Sequence, residues 1–220
     1  MVTAGPTYEP LDEVRRLTNF STGQLGTELA NYLTTSGHNV TLLLGEHATF
    51  RGPCSADRVL EFSTTSDLAQ RLQASAGTEA IFHAAAVSDF KFGKVWVRSQ
   101  DDTLTELRSG KLSTRQGALL AELVPTSKIL SQLRDWFPTA KLVGWKFEVE
   151  GDQGRVLELA GNQIAECRTD ACVANGPGYG PGFALVSSSA KSRHFATRQE
   201  LFGALRSLLE GRERSGATSL

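Results

Sequence analysis

Short apolar runs and helix-periodic segments alternate along this chain. The first unit reads as a strand at residues 1–5, a helix whose apolar positions recur at helical spacing from residue 25, and a second strand, NVTLLL, at residues 39–44. A strand, a helix and another apolar strand in this order are typical of a sheet with parallel strands. The pattern therefore predicts an α/β domain.

The same alternation continues to residue 210. Residues 79–87 (EAIFHAAAV) are almost continuously apolar, as expected for a central parallel strand that is covered on both faces. The other predicted strands lie at residues 59–63, 141–149, 171–175, 183–187 and 194–196, and the other predicted helices at residues 66–76, 125–138, 152–167 and 198–210. These elements predict a three-layer, Rossmann-like fold, in which a mostly parallel sheet carries helices on both faces.

Residues 90–124 interrupt this rhythm. Short apolar runs at 95–97, 103–107 and 118–124 predict strands within the segment, and no helical repeat separates them. An excursion of this length predicts a β-arm or flap that pairs across a dimer axis or covers a ligand. Lys111, next to a glycine in this segment, is either a cation that enters a closed site or a surface lysine.

Size and composition favour one soluble domain. A chain of 220 residues with 40% hydrophobic residues can build one full core, so we expect a single domain over residues 1–211 and a flexible tail over 212–220. The net charge of −1 argues against a nucleic-acid-binding protein. No apolar run is long enough for a membrane span or a signal peptide.

The cysteines and histidines indicate neither disulfides nor a zinc site. Cys54, Cys167 and Cys172 are odd in number and form no CxxC pair, so we expect reduced thiols in a cytoplasmic protein, with Cys172 in the core. The four histidines show no metal-binding spacing. His83 lies inside a predicted strand, and we expect a core histidine there rather than a catalytic one.

The start of the first helix has the composition of an anion site. Ser21, Thr22 and Gly23 precede it, and a helix start presents free N–H groups and the positive end of a dipole to a phosphate. Glycines let the backbone approach the anion, and hydroxyls add hydrogen bonds. A simple helix cap is the alternative, but Arg15 and Asn19 lie just ahead of the turn, where acyl-phosphate chemistry would use a cation and a carboxamide.

Further polar and aromatic residues follow two other predicted strands. Ala85, Ala86 and Asp89 come at the end of the 79–87 strand, and ligands of open α/β sheets collect at the carboxyl ends of strands. Asp89 could bind a ribose hydroxyl or a metal, or form an Asx turn. Trp145 could stack on a nucleobase or pack in the core. We therefore expect the loop after residue 84 to share a crevice with the helix start.

The sequence TAGPTYEPLDEVRRLTNFSTGQLG, together with AAAVSDF and GKLSTRQG, resembles the phosphopantothenate–cysteine ligase family, also called phosphopantothenoylcysteine synthetase. The resemblance runs from residue 2 to about residue 176. Its members activate the carboxylate of 4′-phosphopantothenate with a nucleoside triphosphate and release pyrophosphate, and the amine of cysteine then attacks the acyl-nucleotide. The resemblance implies Mg²⁺ with ATP or CTP, and a homodimer in which the arm of one subunit reaches the other's site.

The resemblance also assigns roles to residues. Asn19 matches the asparagine that holds the activated acyl group, Arg15 a mobile arginine, and Lys111 the flap lysine that supports acyl transfer. No protein side chain is assigned to the metal. The predicted substrate- and nucleotide-binding residues are Gly5, Ser21, Thr22, Gly23, Ala85, Ala86, Asp89, Trp145, Lys146 and Asn175.

The nucleotide stays open between ATP and CTP. The CTP-using bacterial branch carries basic residues in the helix before VAN, whereas this chain reads GNQIAECR there; LTNFSTG, AAAVSDF and VGWKFE look more like the single-domain eukaryotic branch, which uses ATP. We also expect no flavin-dependent decarboxylase half ahead of Met1.

Two alternatives to the ligase remain. One is a nucleotide-binding homologue without turnover, which the missing helix lysines favour. The other is an NAD(P)-dependent reductase, against which stand an imperfect glycine pattern and the lack of an acidic residue at the end of the second strand before Glu46.

Overall fold

Five helices and thirteen strands are formed by the residues that the computed structural model describes, namely 1–99, 101–107, 112–113, 117–189 and 191–211. The helices are α1 (Gln24–Thr35), α2 (Thr65–Gln73), α3 (Ile129–Trp136), α4 (Gln153–Cys167) and α5 (Arg198–Leu209). The strands are β1 (Val2–Ala4), β2 (Tyr8–Pro10), β3 (Arg16–Thr18), β4 (Thr41–Gly45), β5 (Arg58–Phe62), β6 (Ala80–His83), β7 (Phe90–Arg98), β8 (Leu104–Leu107), β9 (Ala118–Pro125), β10 (Lys141–Phe147), β11 (Ala171–Asn175), β12 (Phe183–Ser187) and β13 (Ser192–Phe195).

The central sheet has eight strands in the order β13-β12-β11-β10-β6-β1-β4-β5. The six strands from β5 to β11 are parallel, and β12 and β13 add an antiparallel edge. The chain leaves β1 toward β4 and β5, and then returns to the other side of β1 with β6. The strand order therefore reverses between β1 and β6, the place where ligands of such sheets bind.

Helices cover both faces of this sheet, as predicted. Because side chains alternate along a strand, Val2 and Ala4 of β1 face a core layer with α1 and α5, whereas Thr3 points to the other face. Residues of α2, α3 and α4 fill the core on that second face. The mostly parallel three-layer fold is confirmed. The described helices are too short or too polar to cross a membrane.

The predicted arm is an antiparallel sheet of three strands in the order β8-β7-β9. Strand β7 begins at Phe90 rather than at residue 95, and Phe90 pairs with Pro125 at the base of the arm. The long pairing of β7 with β9 is nonlocal, so the local pattern at 90–94 did not reveal it. Lys111 and residues 212–220, for which we predicted a flap cation and a tail, lie outside the described residues.

Three boundaries differ from the predictions for the same nonlocal reason. The segment before Asn19, for which no strand was predicted, contains the hairpin β2–β3, in which Glu9 opposes Leu17. Strand β6 ends at His83, and beyond it the N–H groups of Ala86 and Ser88 bond to Gly5 and Thr7, which follow β1. Helix α3 begins at Ile129, because Pro125 still belongs to the arm.

All three cysteines are free thiols, as expected. Cys54 is exposed, and Cys167 and Cys172 are buried. Burial in the core raises the pKa of the Cys172 thiol to about 12, so this thiol stays protonated at neutral pH. The predicted core position of Cys172 is confirmed.

Candidate active site

The segments that follow β1 and β6 lie side by side. The Ala86 N–H donates to the Gly5 carbonyl oxygen at 3.0 Å, and the Thr7 N–H donates to the Ala86 carbonyl oxygen at 3.1 Å. Two hydroxyls continue this pairing, because Thr3 Oγ1 accepts from the Ala85 N–H at 3.1 Å and Thr7 Oγ1 from the Ser88 N–H at 2.8 Å. The two sequence motifs that predicted a shared crevice are thus joined at the switch point of the sheet.

Asn19 reaches this junction through the β2–β3 hairpin. Its Nδ2 group donates to the carbonyl oxygens of Ala86 at 3.2 Å and Val87 at 3.3 Å. The rest of the residue is exposed to solvent. The structure therefore places the carboxamide on the loop that carries Ala85, Ala86 and Asp89, where a bound molecule can meet it.

The start of α1 lies against the end of β1. Gly23 is the N-cap residue, has a left-handed φ of 80° and makes no side-chain cap bond, and Thr22 Oγ1 accepts from the Gln24 N–H at 3.3 Å. Gly5 also has a φ of 80°, and a Cβ atom on Gly23 would lie 3.4 Å from the Gly5 Cα atom. The first turn contains no acidic residue, so the helix dipole is open to an anion beside Ser21 and Thr22.

Gly26 has a packing role rather than a place at the start of the helix. It lies inside α1, and a Cβ atom there would come within 2.6 Å of the Ala4 Cβ atom and 3.2 Å of the Thr3 carbonyl oxygen. Gly26 therefore lets the helix pack closely on β1. Gly23, not Gly26, lies at the N-terminus of the helix.

Arg15 connects the hairpin to the arm. Its guanidinium donates to Asp12 Oδ2 at 3.0 Å and to the Leu112 carbonyl oxygen at 3.2 Å, and the Leu112 N–H donates to the same Asp12 oxygen at 3.1 Å. The hydrogen bond from Leu112 lowers the pKa of the Asp12 carboxyl group. Leu112, the residue after Lys111, is thereby held by both of its backbone groups.

Asp89 presents its carboxylate to solvent at the edge of the site. Its carbonyl oxygen accepts from the Thr126 N–H at 2.9 Å, and the neighbouring Ser88 is buried. Within the described part of the chain, no group donates a hydrogen bond to the Asp89 carboxylate. An Asx turn is therefore not formed, and the side chain is free to meet a ligand.

Trp145, Lys146 and Asn175 do not form one group. Trp145 pairs with Val173, and Phe147 with Asn175, so Trp145 and Asn175 face the same side of the sheet as α1. Lys146 faces the opposite side, where it forms an ion pair with Glu148 at 2.9 Å. The predicted set is thus divided between the two faces.

Two atoms of this set are buried without a partner. The Trp145 Nε1–H donor and the Asn175 Oδ1 acceptor have no hydrogen bond to the residues that the structure describes. Burying polar groups without partners is unfavourable, so such atoms usually meet water or a ligand. Both belong to the carboxyl ends of neighbouring strands, the edge where ligands of this fold bind.

Comparison with known proteins decides the family. Residues 1–191 match the family described as the DNA/pantothenate metabolism flavoprotein C-terminal domain. The chain belongs to this family.

Curated relatives include the coenzyme A biosynthesis bifunctional protein CoaBC of Thermococcus kodakarensis. The two sequences are 29% identical over 178 residues, which is 80% of this chain and 40% of the relative. The matched region covers 40%, 47% and 45% of the lengths of the first three curated relatives, so the chain spans less than half of each.

Two solved structures show the same fold. The DNA/pantothenate metabolism flavoprotein of Streptococcus pneumoniae has a TM-score of 0.84 at 24% identity, with 96% of this chain and 97% of that chain covered. A Cab2 mutant in complex with phosphopantothenate-cysteine has a TM-score of 0.72 at 17% identity, with 99% and 88% covered.

His83 is a core histidine, as expected. The side chain is buried at the end of β6, and its Nδ1 atom lies 2.9 Å from Thr3 Oγ1. Burial lowers the pKa of the His83 imidazole from 6.5 to about 4. The ring is therefore neutral at physiological pH. Because the Thr3 hydroxyl accepts from the Ala85 N–H, its own proton is available to Nδ1.

The pKa of His83 predicts a pH-dependent stability. The unfolded chain binds a proton below pH 6.5 and the folded chain only below about pH 4, so stability falls as the pH falls through this window, by about 3 kcal/mol. His83→Asn keeps an acceptor for Thr3 but does not titrate, so its free energy of unfolding should fall by correspondingly less. Urea unfolding at pH 6.5 and pH 4.5 measures the difference. Equal losses in the two proteins would contradict the neutral, buried state.

Sequence reasoning missed the polar residues that hold the site together. Thr3 and Thr7 accept hydrogen bonds from the loop after β6, and Asp12 accepts one from Leu112 in the arm. A detectable signal was the place of Thr3 inside a buried strand and of Thr7 just after it, where a buried hydroxyl must find a partner. The partner of Asp12 is 100 residues away in the sequence, and no local pattern indicates it.

Proposed function

We propose that this protein is a phosphopantothenate–cysteine ligase of coenzyme A biosynthesis. The observation that carries the proposal is the position of Asn19, whose amide lies on the Ala86–Val87 backbone four residues before the N-cap of α1. This arrangement joins an anion site to a carboxamide donor at one edge of the sheet. The family membership and the coenzyme A relatives support the same reaction.

The reaction has two steps. A carboxylate oxygen of 4′-phosphopantothenate attacks the α-phosphorus of ATP or CTP, and pyrophosphate leaves. The amine of cysteine then attacks the acyl carbon, loses a proton and displaces the nucleoside monophosphate, which leaves an amide. The N–H groups at Gly23 and the hydroxyls of Ser21 and Thr22 hold phosphate oxygens, and Asn19 steadies the acyl group. In this proposal Lys111 supports acyl transfer, and Arg15 fixes the arm by donating to the Leu112 carbonyl oxygen.

The residues present fit a Mg²⁺ ion that arrives with the nucleotide. Among the described residues no three metal-binding side chains converge. Mg²⁺ in nucleotide sites is usually held by phosphate oxygens, water and one or two carboxylates, so a cage of protein ligands is unnecessary. Asp89 is the carboxylate that we propose for this role. The ion would neutralise charge on the triphosphate.

We propose that the base binds at the carboxyl ends of β10 and β11, with a local opening that exposes the buried Trp145 Nε1 and Asn175 Oδ1 atoms. Trp145 Nε1 can donate and Asn175 Oδ1 can accept, and the bases of both ATP and CTP carry an amino donor next to a ring-nitrogen acceptor. The basic residue at the end of α4, Arg168, instead pairs with Asp135 at 2.8 Å at the amino end of the sheet. Both nucleotides therefore belong in the assay.

Trp145→Phe tests this subsite. The substitution keeps most of the ring in the core and removes the N–H donor, so we expect the KM for the nucleotide to rise about tenfold with little change in kcat. Trp136→Phe at the end of α3, which packs on the core away from the carboxyl ends of the strands, is the matched control and should leave this KM unchanged. Equal effects of the two substitutions, or an unchanged KM in Trp145→Phe, would remove Trp145 from the subsite.

A cytoplasmic homodimer is part of the same proposal. The arm exposes Phe90, Leu104 and Leu123 at 44%, 51% and 50%, and apolar side chains at such exposure suit a contact with a second copy. Light scattering of the purified protein should give twice the chain mass. A monomer at every concentration would reject the dimer.

The decisive experiment is a turnover assay. The protein is incubated with 4′-phosphopantothenate, cysteine, Mg²⁺ and either ATP or CTP, and pyrophosphate and the amide product are both measured. Product with one of the two triphosphates confirms the ligase and identifies the nucleotide. Nucleotide binding without pyrophosphate release would indicate a homologue without turnover. Omitting cysteine should leave pyrophosphate release limited to one equivalent per site.

A further inference from the structure

Thr7 joins three segments of the candidate site. It follows β1 and is fully buried. Its N–H donates to the Ala86 carbonyl oxygen at 3.1 Å, its Oγ1 accepts from the Ser88 N–H at 2.8 Å, and its carbonyl oxygen accepts from Thr18 Oγ1 at 2.9 Å. One residue therefore contacts the end of β1, the loop after β6 and the hairpin that leads to Asn19.

These contacts close a ring of hydrogen bonds. Thr18 precedes Asn19, and the Asn19 amide donates to the same Ala86 carbonyl oxygen that accepts from Thr7. The ring therefore runs from Thr7 through Thr18 and Asn19 to Ala86 and back to Thr7. Two donors converge on one carbonyl oxygen, which has two lone pairs and can accept both.

The hydroxyl of Thr7 supports the ring from the loop side. Ser88 is buried, and its N–H has Thr7 Oγ1 as its acceptor, one residue before Asp89. Thr7 Oγ1 also lies 3.4 Å from the Thr65 hydroxyl at the start of α2, which can accept the Thr7 proton. The Thr7 hydroxyl thus has a donor on one side, the Ser88 N–H, and an acceptor on the other, the Thr65 hydroxyl.

We propose that Thr7 is a positioning residue that sets the Asn19 carboxamide relative to the Ala85–Asp89 loop. It touches neither substrate nor nucleotide and acts through those residues, so the inference rests on the proposed function. Removing the hydroxyl leaves a buried Ser88 N–H without an acceptor, and the loop must shift to satisfy it. A shift of about 1 Å in a positioned group can cost roughly 100-fold in rate.

The test compares Thr7→Val with Thr7→Ser. Valine keeps the volume and removes the hydroxyl, and we expect a fall in kcat of about 10- to 100-fold. Serine restores the hydroxyl and should return kcat to within about threefold of the unaltered protein. The matched control is Thr169→Val, because Thr169 is buried at the amino end of the sheet and its hydroxyl has no partner among the described residues. This control should leave kcat unchanged.

Amide hydrogen exchange gives a readout that does not depend on turnover. In Thr7→Val the Ser88 amide should exchange about tenfold faster, whereas amides of β10 and β11 should keep their rates. Unchanged Ser88 exchange, or a kcat for Thr7→Ser as low as that for Thr7→Val, would overturn the proposal. If the unaltered protein forms no amide, the proposed function fails, and the exchange at Ser88 still decides whether Thr7 holds the loop.

Discussion

Asn19→Asp is expected to lower kcat for amide formation by about 10²- to 10³-fold, the usual effect of losing one positioned donor in acyl transfer, since in the proposed reaction an Nδ2 hydrogen turns from the loop to the acyl oxygen. The Nδ2 group now donates to the carbonyl oxygens of Ala86 and Val87 at 3.2 and 3.3 Å. A carboxylate there has no proton to donate and faces two oxygens, so it repels the loop. It also places a negative charge beside the proposed phosphate site. Pyrophosphate release and product formation measure the loss.

A chemically matched control is available on α1. The Asn31 Nδ2 group donates to the Pro53 carbonyl oxygen at 2.8 Å, away from the site, so Asn31→Asp removes the same kind of bond. We expect Asn31→Asp to keep the turnover of the unaltered protein, and both variants to keep the same far-ultraviolet circular dichroism. Asn19→Asp with normal turnover would show that this carboxamide has no part in the reaction.

Most of the central sheet was predictable from local pattern. The run around Ile81 is apolar on both faces because α1 and α5 cover one face of β6 and α2 and α3 cover the other. The helical spacing at Leu29 and Leu33 reports the face of α1 that packs on the core. These signals depend on burial, which the sequence shows directly. What burial does not show is pairing between polar segments.

The β2–β3 hairpin illustrates this limit. Its position is fixed by the Thr65 N–H, which donates to Glu9 Oε1 at 3.0 Å, and by the Tyr8 N–H, which donates to the Ser63 carbonyl oxygen at 3.1 Å. Both partners lie more than 50 residues away in the sequence, so the segment reads locally as a loop. The base of the arm, at Phe90 and Pro125, was obscured for the same reason.

The same limit applies to the residues of the candidate site. The rule that ligands bind at the carboxyl ends of strands placed the loop after β6 beside the segment after β1, and Asn19 contacts that loop from the end of the β2–β3 hairpin. It could not separate Trp145 from Lys146, since that depends on which face each residue of β10 occupies. The roles assigned to Asn19, Arg15 and Lys111 stay predictions until turnover is measured.

Gly26→Ala is expected to destabilise the fold and disturb the anion site together. The added Cβ atom would come within 2.6 Å of Ala4 Cβ and 3.2 Å of the Thr3 carbonyl oxygen, in a central strand that has no room to move. Overpacking of this kind costs about 1–3 kcal/mol, and α1 must move away from β1. Because Gly23 at the mouth of α1 packs on Gly5, kcat/KM should fall as well.

Gly161→Ala separates this packing effect from helix propensity. Gly161 lies inside α4, and a Cβ atom there would meet nothing within 4 Å. Alanine should therefore raise the free energy of unfolding by about 0.5–1 kcal/mol, because it restricts the unfolded chain and favours the helix. Thermal unfolding of the two variants should shift in opposite directions. A shift upward for Gly26→Ala would mean that α1 does not need its close approach to β1, and the placement of the helix mouth beside Gly5 would then lose its physical basis.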